Sequence, residues 1–202
     1  MSTEPAATPV VPEPAQAPSG RRHLVLLTFA LAAAVLFVDQ LTKWWALTEL
    51  ELGAPQRQVI GDFLTFRLVM NPGAALGIGN SYTWVLTIVV VAVVVVIVRV
   101  IRRIRSRAWA LTLGLLLGGA VGNLLDRLFR EPGFARGHVV DFIGYSNWFT
   151  GNVADIAIVV AAVMLALLSL LGIGLDGRRE GHHRSAAATA PVDAQVEPEP
   201  EA

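Results

Sequence analysis

Residues 82–101 read YTWVLTIVVVAVVVVIVRVI, a run of twenty in which Arg99 is the only charged side chain. A helix needs about 20 mostly apolar residues to cross the hydrocarbon core of a bilayer. Valine is a poor helix former in water, but in lipid a spanning segment must satisfy its own backbone hydrogen bonds, which favours a helix. Three more stretches of this kind lie at residues 24–45, 109–128 and 152–175. The sequence therefore predicts four transmembrane helices.

The composition of the whole chain agrees with a membrane protein. Of 202 residues, 54% are hydrophobic and 16% are charged, whereas soluble domains average about 25% charged residues. Sixteen basic residues balance sixteen acidic ones, which argues against a polybasic nucleic-acid binder unless the charges are segregated. Cysteine is absent, which excludes disulfides, thiolate metal sites and cysteine nucleophiles.

The two ends of the chain differ from its middle. Eight of the eleven prolines lie in residues 1–20 and 177–202, among alanine, serine, threonine and glutamate. Such segments cannot bury enough apolar surface to order themselves. We therefore expect two disordered tails, at residues 1–20 and 177–202, and one membrane domain over residues 21–176.

The basic residues indicate how the domain sits in the membrane. Ten lie before the first span, at the end of the second span or between it and the third, or after the fourth, and six lie at the opposite level. The positive-inside rule places both termini in the cytoplasm. Residues 46–81 and 129–151 then form outer loops. Within the first loop, residues 63–69 read FLTFRLV, which predicts a strand, and residues 71–79 form a small-residue run suited to a tight turn. The expected fold is an all-α membrane protein of four transmembrane helices with a small extracytoplasmic β-sheet.

Acidic side chains concentrate at the outer end of the predicted bundle. An ionisable residue in or beside a span is a functional hypothesis by default, because burying it in lipid is costly. No acid lies inside the second span, so the pattern is a polar layer near one interface and not a path through the bilayer. The eight outer acids are Asp39, Glu49, Glu51, Asp62, Asp126, Glu131, Asp141 and Asp155.

Two acids of this layer have basic neighbours. Lys43, the only lysine, stands one helical turn after Asp39, which predicts an ion pair with the lysine reaching the interface, or a direct chemical role. Asp126 either pairs with an arginine or acts in a site, and Arg127 could hold a backbone carbonyl of a substrate. The glycines of the third span allow another helix to approach closely. They are Gly114, Gly118, Gly119 and Gly122.

Asp141 and Asp155 stand in apolar surroundings with no basic residue nearby in sequence. They are either two separately hydrogen-bonded acids or a pair that shares one proton. In such a pair one carboxylate activates water while the other donates to a carbonyl. On the outer side Ser81 and Ser146 are the only serines, and no Gly-x-Ser-x-Gly, Walker or His-Glu-x-x-His pattern occurs. If the outer layer is hydrolytic, aspartate chemistry is favoured.

Five short motifs together resemble bacterial lipoprotein signal peptidases, the signal peptidase II family. In chain order they are DQLTK at 39–43, NPGAALG at 71–77, GNLLDR at 122–127, VVDF at 139–142 and NVAD at 152–155. The resemblance covers roughly residues 24–175. This chain departs from the family at Gly151, where an aromatic residue is common.

The resemblance implies an aspartyl endopeptidase of the bacterial cell membrane, with its site near the outer face. Members of the family remove the signal peptide of prolipoproteins, cutting before a cysteine that carries diacylglycerol, and globomycin inhibits them. The catalytic pair matches Asp141 and Asp155. The other site residues match Asp39, Lys43, Asn71, Gly73, Gly118, Gly122, Asn123, Asp126, Arg127, Asn152 and Ala154. The partners implied are prolipoprotein and membrane lipid, with no metal, organic cofactor or nucleic acid.

Two other function classes fit the residues when the resemblance is set aside. A small proton- or ion-coupled transporter would use the same acids as a relay, but it would need ionisable residues in the inner half of the spans. A non-catalytic membrane scaffold would bind partners through the glycine-rich third span. It would tolerate the loss of either aspartate.

Overall fold

The computed structural model describes residues 19–73, 83–146 and 148–179. Within them the chain forms four long helices, each apolar enough to cross a membrane. The helices are α1 (Ser19–Glu49), α2 (Thr83–Ile101), α3 (Arg107–Phe129) and α4 (Val153–Leu170). The four predicted spans are confirmed. The predictions for residues 1–18, 74–79 and 180–202 lie outside the described residues.

The ends of the membrane domain differ slightly from the expectation. Helix α1 already begins at Ser19. Helix α4 ends at Leu170 and not near residue 175, because Gly172 adopts a φ of 63° and the N–H of Ile173 turns back to the carbonyl of Leu168. This is the glycine-terminated end that many helices use. After it, Ile173 forms an isolated bridge with Arg179, so residues 177–179 pair with the domain.

A four-stranded antiparallel sheet confirms the predicted small sheet. Its strands are β1 (Arg57–Ile60), β2 (Leu64–Asn71), β3 (Val139–Tyr145) and β4 (Phe149–Gly151), in the order β1-β2-β3-β4. Strand β2 confirms the strand expected at residues 63–69. The other three strands follow no alternating pattern strong enough to have been predicted.

Helix α3 lies at the centre of the bundle, in contact with α1, α2 and α4. Its glycines face neighbouring helices, as their spacing predicted. A Cβ atom added to Gly118 would lie 2.7 Å from the Ala32 carbonyl oxygen, and one added to Gly119 would lie 2.6 Å from the Ala154 carbonyl oxygen. Real Cβ atoms do not approach backbone this closely, so glycine is required for α1 and α4 to pack against α3 at this distance.

An aromatic cluster fixes the sheet to the C-terminal end of α1. The ring of Trp45 contacts Phe66 of β2 and Phe142 of β3 edge-on, with centroids 5.2 and 6.0 Å away. Ala46 and Leu50 are buried against the same rings. Because Phe142 is held there, the preceding residue of β3 is fixed above the ends of the helices. That residue is Asp141.

Candidate active site

Asp141 is buried in the middle of β3, with 2% of its surface exposed. It lies opposite Val69 of β2, so Asn71 is its diagonal neighbour on the same face of the sheet. The Asn71 Nδ2 donates to Asp141 Oδ2 at 2.8 Å, and the Asn152 Nδ2 donates to Asp141 Oδ1 at 2.7 Å. The carboxylate is therefore held on both oxygens by amides.

Asp155 lies in the first turn of α4, where it forms a capping box with Asn152. The side-chain oxygen of Asn152 accepts from the Asp155 N–H, and Asp155 Oδ2 accepts from the Asn152 N–H, both at 3.0 Å. The other oxygen, Oδ1, accepts from Asn123 Nδ2 at 2.9 Å. The Asn-x-x-Asp spacing thus starts the helix and fixes the carboxylate with the same bonds.

The two aspartates meet through Asn152, whose side chain bonds to both residues. Among the described residues each carboxylate has its own amide donors, as the interpretation of separately hydrogen-bonded acids predicted. Burial raises the pKa of the Asp141 carboxyl to about 6, and the nearby charge of Asp155 acts in the same direction, while hydrogen bonds from Asn71 and Asn152 oppose it. A raised pKa is also what the interpretation of a shared proton predicts for one member of the pair, so both interpretations remain open at this point.

A buried charge cluster lies behind the aspartates. The Lys43 Nζ is 2.8 Å from Asp39 Oδ2 and 2.8 Å from Asp126 Oδ2. The predicted Asp39–Lys43 ion pair is confirmed. The expectation that the lysine reaches the interface is wrong, because Lys43 has no exposed surface. A second carboxylate, on α3, holds the ammonium inside the bundle.

The acids of the cluster also hold the backbone of the site. Asp126 pairs with Arg130, one turn later, at 2.6 Å, and accepts from the Val140 N–H beside Asp141 at 3.2 Å. The predicted pairing of Asp126 with an arginine is present, but Arg130 was not singled out, although its i,i+4 spacing could have revealed it. Asp39 Oδ1 accepts from the Ala154 N–H at 2.9 Å. The cluster therefore fixes both elements that carry the aspartates.

Arg127 offers a donor in the site. Its Nη1 is buried and has no hydrogen-bond partner among the described residues. Gly73, with a φ of 112°, lies against it: a Cβ atom added there would be 2.8 Å from Arg127 Nη1. A buried donor without an acceptor is costly, so a ligand oxygen would find an unsatisfied partner here.

An apolar groove of about 460 Å³ opens beside Asp155. It runs between the β3–β4 hairpin and the outer surface of α4, which contributes Ile156, Val159 and Val160. The rings of Tyr145 and Phe149 stack at its edge, with centroids 6.1 Å apart. These two aromatics were missed by the sequence reasoning.

The Phe149 ring occupies the space next to Gly151. A Cβ atom added to Gly151 would lie 2.6 Å from Phe149 Cε1 and 2.9 Å from Asp155 Oδ2. An aromatic residue two positions earlier thus fills the place beside the site, which explains physically why residue 151 is glycine. The departure at Gly151 was the signal that could have revealed Phe149.

The remaining predicted residues shape the site. A Cβ atom added to Gly122 would lie 2.6 Å from Asp39 Oδ2, so glycine makes room for the charge cluster. Of the thirteen predicted residues, twelve lie in or beside this polar layer, and Gly118 packs against Ala32 of α1, further along the bundle. Within residues 19–73, 83–146 and 148–179, no three histidine or acidic side chains converge as a metal site would require.

Known proteins resemble this chain over the whole site. A sequence model of the family described as Signal peptidase (SPase) II matches residues 31–171. A lipoprotein signal peptidase of Rhodococcus jostii (strain RHA1) is 49% identical over 156 residues, which are 77% of this chain and 78% of that protein. One of Mycobacterium avium (strain 104) is 47% identical over 176 residues, or 85% of this chain and 96% of that protein.

The fold is also similar to that of a solved structure. A bacterial membrane enzyme, determined by the in meso method at 1.9 Å resolution, superposes with a TM-score of 0.61 at 25% identity. The superposition covers 71% of this chain and 92% of that chain. The range matched by the family model, residues 31–171, includes all residues from Asp39 to Asp155.

Proposed function

The chain belongs to the signal peptidase II family, and from that premise we propose that it is a membrane-embedded aspartyl endopeptidase that removes signal peptides from prolipoproteins. One observation carries the chemistry: the side chain of Asn152 donates to the Asp141 carboxylate, and the backbone N–H of the same residue donates to the Asp155 carboxylate. Two carboxylates that bond to the same residue can act as an acid and a base on one scissile bond.

The aspartates divide the two tasks between them. The raised pKa of Asp141 favours it as the protonated member, which donates to the scissile carbonyl. Asp155 lies at the N-terminus of α4, where the helix dipole favours a negative charge, and it takes a proton from the attacking water. The result is a gem-diol intermediate. It collapses when Asp155 passes the proton taken from water to the amide nitrogen and Asp141 takes a proton back from a gem-diol hydroxyl, so that the C–N bond breaks and the amine leaves.

The substrate backbone lies against Arg127 and Asn71. Arg127 Nη1, which has no partner within the part of the chain that the structure describes, donates to a peptide carbonyl, and Asn71 lies beside Asp141. This placement would satisfy the buried guanidinium and align the scissile bond with the aspartates.

The substrate reaches the site from the lipid. The groove beside Asp155 is bounded by the lipid-facing surface of α4, where Val159 is 61% exposed and Ile156 is 43% exposed. A signal peptide and the acyl chains of a diacylglyceryl cysteine are both apolar, so they can approach sideways without leaving the membrane. Cleavage falls before that cysteine, near the outer face of the cell membrane, with both termini of the chain in the cytoplasm and globomycin competing for the site.

The proposal is tested by incubating the purified protein with a diacylglyceryl-modified prolipoprotein, with and without globomycin. We expect cleavage by the parent chain, inhibition by globomycin, and near-background rates for Asp141→Asn and Asp155→Asn, because an amide can neither accept nor release the proton. Asp62→Asn, an exposed acid in the β1–β2 turn, is the matched control and should retain full activity. Normal cleavage by either aspartate variant would refute the proposed chemistry.

A further inference from the structure

We propose that Lys43 is a positioning residue that orients both candidate catalytic aspartates through the amide of Asn123. This inference rests on the proposed function. It concerns a side chain that contacts neither aspartate directly in the hydrogen bonds of the site. Its role follows from which atoms can face an ammonium.

The first step fixes the orientation of Asn123. The Lys43 Nζ donates to Asn123 Oδ1 at 3.0 Å, and on the other side Asn123 Nδ2 donates to Asp155 Oδ1 at 2.9 Å. An ammonium has only donors and a carboxylate has only acceptors. Rotating the amide by half a turn would place its NH₂ against the ammonium and its oxygen against the carboxylate. Lys43 therefore selects the orientation in which Asn123 donates to Asp155.

The second step transmits this orientation to Asp141. Asn123 Oδ1 also accepts from Asn152 Nδ2 at 3.2 Å, and the same Nδ2 donates to Asp141 Oδ1 at 2.7 Å. With its nitrogen committed to these two acceptors, the oxygen of Asn152 faces the Asp155 N–H. One ammonium thus sets two amides, and the two amides hold both carboxylates.

Lys43 is itself held rigidly enough to do this. Its three N–H donors have one acceptor each, on Asp39, Asp126 and Asn123, and the side chain has no exposed surface. A counter-ion for two carboxylates would need only the first two contacts. The third contact is the one that connects the charge cluster to the aspartates.

The charge of Lys43 also acts on the aspartates at a distance, and a test must separate this effect from orientation. A nearby positive charge lowers the pKa of Asp141. Several other charged or titratable groups surround the two aspartates. They are Asp39 on α1, Asp126 and Arg127 on α3, Arg130 at the C-cap of α3, Tyr145 on β3 and Asp155 on α4.

A double-mutant cycle with Lys43→Met and Asn123→Leu makes the separation. If Lys43 acts through Asn123, each single change lowers kcat/KM by roughly 10- to 100-fold. The kcat/KM of the double variant is then only slightly lower than that of the less active single variant. An effect of charge alone would persist without the amide, so the two losses would multiply. Multiplied losses would overturn the inference, whereas an inactive parent chain would instead contradict the proposed function.

The cycle needs variants that fold, because Lys43→Met leaves Asp39 and Asp126 buried without their shared ammonium. The same cycle is therefore also run in an Asp126→Asn background, in which the charge removed with the lysine is balanced. Thermal unfolding of all eight proteins identifies the background in which the four members are equally folded. The coupling between Lys43 and Asn123 in kcat/KM, measured in that background, shows whether the lysine acts through the amide.

A second readout needs no substrate. In protein labelled with ¹³C-aspartate, the infrared carbonyl band that disappears in Asp141→Asn reports the titration of Asp141. We expect Lys43→Met to move its midpoint to higher pH, and to move it much less when Asn123 is already leucine. An equal shift in both backgrounds would show that the lysine acts by its charge alone, against the inference.

Discussion

The side chain of Asn152 has two roles in the site, one in the helix cap and one at the aspartates. It caps α4, bonds to Asp155 and donates to Asp141. Serine caps helices about as well as asparagine, but it cannot reach both neighbours as an amide does. The two roles of this residue can therefore be separated.

We expect Asn152→Ser to leave the melting temperature nearly unchanged while cleavage falls strongly, because the donor to Asp141 is lost. Asn152→Ala should lose the same activity and, in addition, about 1 kcal/mol of stability with the cap. Thermal unfolding and cleavage rates of the two variants give both quantities. Equal activity of the serine variant and the parent chain would show that the Asn152–Asp141 bond is unimportant.

The pH dependence of cleavage follows from the protonation of Asp141. The proposed mechanism needs a proton on Asp141, whose pKa of about 6 lies above that of an exposed aspartate. Activity should therefore be present below this pKa and fall as pH rises through it, as measured by kcat/KM, which reports the free enzyme. This alkaline limb of the profile of kcat/KM against pH reports the titration of the coupled pair Asp141 and Asp155, and not of one residue alone.

Asn71→Ala tests the direction in which the alkaline limb of this profile moves. The hydrogen bond from Asn71 stabilises the ionised form of Asp141 and lowers its pKa. Its removal should move the alkaline limb to higher pH, whatever happens to the maximal rate. A shift to lower pH would contradict the assignment of the proton to Asp141.

The sequence identified single residues well where their surroundings were unusual. Asp141 and Asp155 were noticeable as acids among apolar neighbours. The burial of Lys43 was not predictable, because its second partner, Asp126, belongs to another helix and no pattern along one helix reveals such a contact. Phe149 was missed for a similar reason, since its place beside Asp155 depends on how the hairpin packs against α4.

At the scale of elements, the glycines of α3 determine how closely its neighbours pack. Gly118→Ala should destabilise the protein by about 1–3 kcal/mol, because the new Cβ atom would meet the Ala32 carbonyl at 2.7 Å and backbone cannot move aside cheaply. Gly133→Ala is the control, because a Cβ atom there would meet nothing within 4 Å. Thermal unfolding in detergent compares them, and equal melting temperatures would show that α1 can shift without penalty.

Helices and strands differed in how far they could be predicted. Long apolar runs gave four helices because length and hydropathy suffice in lipid. Strand β3 is buried along nearly its whole length, so it has no alternation, and β4 has three residues. The pairing of β3 with β2 joins segments about 70 residues apart, and a local pattern does not encode such a contact.

For the whole molecule, the proposed orientation can be tested because the chain has no cysteine. Trp148→Cys replaces a side chain that is 95% exposed on the β3–β4 hairpin, and Arg103→Cys replaces an exposed one between α2 and α3. A membrane-impermeant maleimide should label the first variant in intact cells and the second only after permeabilisation. The reverse result would invert the topology and place the aspartates at the cytoplasmic face.

The Asp39–Lys43 pair has a consequence for biosynthesis. Helix α1 enters the membrane before Asp126 has been translated, an interval of roughly 4 to 17 s at about 5–20 residues per second. A lone charge raises the free energy of insertion, by about 2.5–3.5 kcal/mol at the centre of a helix and by less towards its end. Because the two side chains lie one turn apart on the same helix, 2.8 Å from each other, the nascent segment can enter the bilayer as an electrically neutral unit. The Asp39–Lys43 pair can thus lower the free energy of inserting α1 before the rest of the site has been synthesised.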